Sequence, residues 1–147
     1  MYHRILVPLD GSPLSEIALP YAEELARGLG SSLVLLLVTG SAEAHDYNEQ
    51  QIYIEKVVEA IERRDEGHEE RHHRKPVKVE STVLVGDPAE QIADFAERED
   101  ISLVVMATHG RSGIRRWALG SVADKVVRAT TRPVMLITPQ GTMPEVR

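Results

Sequence analysis

Apolar positions along this chain switch between a period of two and a period near 3.6, and the switches lay out a series of elements. Ile5-Leu6-Val7 is short, apolar and rich in β-branched residues, which predicts a buried strand. Asp10-Gly11-Ser12-Pro13 follows as a turn, with Ser12 placed as an N-cap and Pro13 at the first helical position. Ile17, Leu19, Tyr21, Ala22, Leu25 and Ala26 recur at roughly helical spacing, and Gly28 and Gly30 are expected to stop that helix. Ser32 to Thr39 reads as a second buried strand and Gly40 to Asp46 as polar loop. A long helix is expected from about Glu49, with Ile52, Val57, Val58 and Ile61 as its apolar stripe. The charged run Gly67 to Lys75 has no apolar face and leaves the end of that helix open. Pro76 forces an extended segment, and Val77, Val79, Ser81, Val83 and Val85 alternate as a third strand. Gly86-Asp87-Pro88 repeats the turn, cap and proline device, and Ile92, Ala93, Phe95 and Ala96 form the buried side of a third helix. Leu103 to Met106 predicts a fourth strand, Val122, Val126 and Val127 a last helix, and Val134 to Thr138, after Pro133, a fifth strand.

Strands alternating with helices in this way imply an α/β fold with a doubly wound, five-stranded parallel sheet and helices on both faces. Right-handed crossovers and a reversal beside the first strand favour the order 3-2-1-4-5. Ligands of such sheets bind outside the carboxyl ends of the strands. Here those ends are Asp10, Val38-Thr39 and Met106 to Gly110, so three separated pieces of sequence face one crevice.

Composition narrows the function classes. At 147 residues, with 42% hydrophobic and 27% charged positions, the chain suits a single globular domain spanning residues 1–147. A formal net charge of −6 argues against nucleic acid as a partner, so an anionic ligand must be drawn to a local positive feature. The apolar run Ser32 to Thr39 is far shorter than a membrane span, and no membrane partner is expected. There is no cysteine, which excludes disulfides, thiolate metal sites and cysteine nucleophiles. Met1-Tyr2-His3-Arg4 leads straight into a strand without a signal-peptide layout, and a cytoplasmic location is expected.

The local positive feature lies after the fourth strand, in the stretch from Met106 to Ser121. Gly110 and Gly113 would let backbone N–H groups approach a phosphate, and Gly120 permits another close approach. Ser121 and Asp124 form a Ser-x-x-Asp start for the last helix, whose positive N-terminus points into the crevice. Arg111, Arg115 and Arg116 add charge, while Ile114, Trp117 and Ala118 share a face that predicts a short packed turn of helix. The bland alternative is a surface loop shaped by glycine and solubilised by arginine. A purely structural loop, however, does not need close-approach glycines directly before a capped helix. General nucleotide signatures are absent: no P-loop occurs, and Gly28-Leu29-Gly30 lacks the third glycine and the preceding strand of a dinucleotide motif.

The run Ala107-x-x-Gly110-x9-Gly120-Ser121 resembles the G-x2-G-x9-G-[S/T] motif of the ATP-binding branch of the universal stress protein family. Ile5 to Ser12, Val85-Gly86-Asp87-Pro88 and Arg132-Pro133-Val134 are similar to other characteristic positions of that family. The resemblance implies an adenine nucleotide, ATP foremost, with Mg²⁺ as its accompanying ion. It further implies Pro8, Leu9 and Asp10 at the nucleoside, Asp10 on a ribose hydroxyl, and the Val38 backbone at the adenine edge. Met106 and Ala107 would line the nucleoside. His109, Gly110, Arg111 and Gly113 would begin the phosphate cradle, and Gly120, Ser121 and Val122 would close it. Ala107 departs from the family pattern, standing where it has glycine. The family also pairs its last strand with that of a twofold mate, which implies a homodimer through Val134–Thr138.

Other chemistry is weighed against this. His109 is expected as a phosphate ligand rather than a general base. His68, His72 and His73, near Glu69 and Glu70, are read as a solvated segment and not a metal site. Trp117 is read as packing. Asp10 as a phospho-acceptor would need clustered acidic residues and a lysine after the fifth strand, and Leu9, Gly11, Pro139 and Gln140 supply neither. No catalytic residue is therefore assigned. The leading expectation is a non-catalytic or very slow nucleotide-dependent switch of the stress response. The alternatives are a slow ATP hydrolase and a dimeric interaction module with a vestigial pocket.

Overall fold

Strand β1 (Arg4–Leu9) lies at the centre of a sheet, paired in parallel with β2 (Ser32–Thr39) on one side and β4 (Leu103–Ala107) on the other. β3 (Val79–Val85) and β5 (Val134–Ile137) complete a five-stranded parallel sheet in the order 3-2-1-4-5. The computed structural model describes residues 2–72, 75–111, 113 and 118–139.

Period-two alternation divides the strands between two cores. Ile5, Val7, Leu33, Leu35 and Leu37 point to one face, where α1 (Leu19–Leu29) and α2 (Ala44–His72) cover them with Leu19, Ala22, Ala26, Ile54, Val57 and Ile61. Leu6, Val34, Leu36, Val104 and Met106 point to the other face, under α3 (Pro88–Arg98) and α4 (Ser121–Ala129). The central strand is apolar on both faces because both are covered. Each fully buried aliphatic side chain there contributes roughly 1.5–3 kcal/mol. The chain lays β1, β2 and β3 down in one direction and then crosses the sheet to β4, leaving the loops after β1 and β4 to diverge.

Several local expectations change. Ser12 does receive Ser15 N–H on its Oγ at 3.3 Å, but that turn opens a 3₁₀ segment (Ser15–Ala18), and the α-helix begins only at Leu19 with Pro20 in its first turn. Gly28 lies inside α1, and Gly30 alone ends it in the left-handed region. Tyr21 is exposed, whereas Glu23 is buried beside two nitrogens of Arg64, each 3.0 Å from a carboxylate oxygen. α2 starts at Ala44, earlier than the polar run suggested, and continues through the charged stretch to His72. Its buried stripe runs through Ile54, Val57 and Ile61, with Ile52 turned outward at 54% exposure. Asp65 explains part of that length. Its carboxylate accepts the Val77 N–H at 2.5 Å and faces Arg27 at 3.8 Å, tying the helix to the approach of β3. In α4 the buried positions are Ala123 and Val126, and Val127 is exposed. β5 stops at Ile137, one residue short of Thr138. The side chains of His68 and His72, and His73 altogether, lie outside the described residues, as do Ile114, Arg115, Arg116 and Trp117.

Candidate functional site

The carboxyl ends of β1, β2 and β4 and the start of α4 surround a cavity of about 360 Å³. Its walls begin at Asp10, the first residue beyond β1. Gly11, at φ +88°, turns the chain back, and Asp10 Oδ1 accepts both the Ser12 N–H at 2.8 Å and the Ser12 hydroxyl at 2.5 Å. This Asx-type turn is local. The other carboxylate oxygen accepts the Arg111 N–H at 2.6 Å, and the Arg111 guanidinium donates back to the Asp10 carbonyl at 2.6 Å. Two turns a hundred residues apart are thereby stitched across the gap where the sheet changes direction. Burial pushes the Asp10 carboxyl up, but the hydrogen bonds from Ser12 and Arg111 outweigh it and hold the group below the ordinary carboxylate range.

The glycines of the loop after β4 are required by this stitching. A Cβ on Gly110 would collide with Asp10 Oδ2. A Cβ on Gly120 would lie 2.8 Å from the Thr108 carbonyl oxygen, which the Gly120 N–H itself occupies at 2.8 Å. Both glycines make room for protein first and for a ligand second. Gly113, at φ +84°, closes a turn by donating its N–H to the Gly110 carbonyl at 2.9 Å.

His109 is buried, at 6% exposure, and both ring nitrogens are engaged inside the loop. Nε2 lies 2.7 Å from the Ala118 carbonyl and Nδ1 2.9 Å from Thr108 Oγ1. A carbonyl can only accept, so Nε2 carries the proton and Nδ1 takes the threonine hydroxyl. The ring braces the loop and stands in the cavity wall.

The last helix also starts differently from its sequence signature. Gly120, extended and without a side-chain cap, is the N-cap, and Ser121 is the first helical residue. Among the described residues no side-chain cap is made to this first turn, and Ser121, Val122 and Ala123 line the cavity at that positive end. The same cavity is also lined by the apolar residues Leu36, Pro88, Ile92, Met106 and Val122, which give it an apolar slot.

Of the residues expected at the site, Pro8, Leu9, Asp10, Val38, Met106, Ala107, His109, Gly110, Arg111, Gly120, Ser121 and Val122 all line this cavity. Gly113 does not. Ala107 is the last residue of β4, in register with Ile137. Thr39 and Thr108, in the strand ends expected to face the crevice, line it too, and Ser15, Gly40, Gln50, Pro88 and Ile92 do so without having been foreseen. Thr108 and Ser15 sit next to recognisable motifs. Gln50, one polar residue among many on α2, carries no local signal. Among the described residues there is no group of three or more His, Asp or Glu side chains able to hold a metal ion. None of the described helices is long and apolar enough to cross a membrane.

A profile described as the universal stress protein family matches residues 1–138. A universal stress protein of Methanocaldococcus jannaschii, MJ0531, is 30% identical over 93% of this chain and 82% of its own length. Universal stress protein YxiE of Bacillus subtilis is 29% identical over 93% of this chain and 99% of its own. Among solved structures, the universal stress protein of Archaeoglobus fulgidus in complex with dAMP superposes with a TM-score of 0.70 and 26% identity, covering 92% of this chain and 98% of that one.

Proposed function

This chain belongs to the universal stress protein family, and from that premise we propose that it binds an adenine nucleotide, ATP foremost, as a switch without rapid catalysis. The observation that carries the reading is the uncapped start of α4 opening onto the same cavity as Asp10 and an apolar slot. Phosphates suit the first, a sugar hydroxyl the second and a planar base the third. In this reading the base lies between Ile92, Met106 and Val122 with its edge at the Val38 backbone. The phosphates face Gly110, Arg111, Gly120, Ser121 and Val122. Any Mg²⁺ arrives on the phosphates, since the described residues offer it no carboxylate cluster. Slow or absent hydrolysis follows from the two candidate bases: His109 has both nitrogens engaged, and Asp10 is held as a hydrogen-bonded carboxylate. The dAMP complex of the Archaeoglobus relative supports an adenine nucleotide as the ligand class.

We further propose a homodimer through β5. That strand is an edge of the sheet, with one side of its backbone unpaired among the described residues and Met135 exposed on it. Nucleotide contacts at the start of α4 are passed along α4 toward that edge.

Isothermal titration with ATP and Mg²⁺ tests the site. Saturable binding supports it, and its absence at millimolar ATP overturns it. If only Ala107→Gly binds, the methyl group blocks the native pocket and the reading as an interaction module replaces this one. Light scattering that shows a monomer at micromolar concentration overturns the dimer.

A further inference from the structure

Asp10 is the sugar-facing carboxylate of the nucleotide reading, on which this inference rests, and its hydrogen-bond capacity is nearly used up by the protein. An ionised carboxylate has about four acceptor directions, two on each oxygen. Oδ1 accepts the Ser12 N–H at 2.8 Å and the Ser12 hydroxyl at 2.5 Å, which fills both of its directions. The serine must be the donor there, because an ionised carboxylate has no proton to give. Oδ2 accepts the Arg111 N–H at 2.6 Å. The same oxygen is backed by Gly110, so closely that a Cβ there would collide with it. Among the described residues, one acceptor direction is left. A carboxylate that grips both hydroxyls of a ribose needs two.

We propose that Asp10 holds a single sugar hydroxyl, so that this protein binds 2′-deoxy and 3′-deoxy adenine nucleotides about as well as ribonucleotides. The sugar readout reports that one hydroxyl is present and not that a cis-diol is. Selectivity therefore rests on the base slot and the phosphate end. Ser12 sets this behaviour, because its hydroxyl occupies the acceptor that a second sugar hydroxyl would use. Among the described residues, two polar side chains from other parts of the chain reach the mouth beside Gly11: a Cβ there would lie 3.1 Å from the Arg111 guanidinium and 3.8 Å from Oε1 of Gln50 on α2.

The test is a titration of the intact protein with ATP, 2′-deoxy-ATP, 3′-deoxy-ATP and 2′,3′-dideoxy-ATP, each with Mg²⁺. The expected result is that each singly deoxygenated nucleotide binds within about threefold of ATP, and that the dideoxy compound is weaker by roughly tenfold or more, the loss of one hydrogen bond to a charged group. Ser12→Ala frees an acceptor on Oδ1 and is expected to raise the preference for ATP over 2′-deoxy-ATP. Three results overturn the inference: a loss of about tenfold on removing either hydroxyl alone, a dideoxy nucleotide that binds as well as ATP, or a ribose preference that Gln50→Ala abolishes. If ATP binds and the deoxy series behaves in one of those ways, the sugar inference falls and the nucleotide site stands. If none of the four shows saturable binding, both fall.

Discussion

Asp10 and Asp87 stand in closely similar sequence surroundings and end up with opposite tasks. Each follows a parallel strand, neighbours a glycine at positive φ and precedes a proline that leads toward a helix. Asp87 behaves as a cap. Its side chain accepts the Glu90 N–H at 3.0 Å, Pro88 takes the first helical position, and α3 starts at once. Asp10 caps nothing. Its carboxylate folds onto Ser12 and then reaches Arg111, 101 residues further along the chain. A local partner makes an aspartate part of its helix, and a remote one makes it part of a site. The difference follows from the sheet order, because β4 lies directly beside β1 and the loop after it can meet Asp10. Asp87 follows the edge strand β3, whose neighbour β2 meets the turn through the Thr39 carbonyl on the Gly86 N–H at 2.9 Å and not through the Asp87 carboxylate.

The contrast can be broken most severely at Gly110. Gly110→Ala drives a methyl group into Asp10 Oδ2, and we expect a loss of about 3 kcal/mol of stability in chemical denaturation, together with most nucleotide affinity. The equivalent insertion at Gly86 meets the side chain of Gln91, which can move, although its φ of +146° adds strain of its own. Asp10→Asn comes next. It removes the charged acceptor and is expected to weaken nucleotide binding by about 10- to 100-fold in titration calorimetry, the range of a hydrogen bond to a charged group. Asp87→Ala should do the reverse: a loss of about 1 kcal/mol in the same denaturation experiment, with nucleotide affinity unchanged. An affinity loss at Asp87 that matched the one at Asp10 would remove the distinction.

The smallest expected effect is in acid. Asp10 has its folded-state affinity for protons lowered, by hydrogen bonds that prevail over burial. Its contribution to stability is therefore fully present above the ordinary carboxylate pKa and is lost as pH falls through the lowered, folded-state value. Denaturation followed across that acid window should show a shallower slope in Asp10→Asn than in the native protein. Identical slopes would mean that the carboxylate gains nothing from Ser12 and Arg111.

Two buried carboxylates show the same division on a structural scale. Glu23 and Asp65, at 2% and 4% exposure, lie on helices whose sequence marks them as surface positions. Glu23 is paired with Arg64, 41 residues away, and Asp65 holds the Val77 N–H, 12 residues away. Neither pairing leaves a local trace. For the same reason the end of α2 was not legible in its charged run, while the ends of β2 were legible to the residue.

What the sequence by itself determined is the order of elements, the two-faced packing of the strands and the positions at which the chain meets the crevice. Each of these is carried by periodicity or by turn chemistry within a few residues, and such interactions survive without knowledge of the partner strand. The glycines of the loop after β4 were visible in the same way, though not their reason. That reason belongs to the tertiary structure. Packing β4 against β1 brought Gly110 under Asp10, turned His109 inward onto Ala118 and Thr108 and laid Arg111 across the turn, while the packing of α2 on β2 and β3 carried Gln50 to the cavity mouth. These contacts join residues distant in the chain, so their energies are decided by the fold and by nothing that a neighbouring residue can signal.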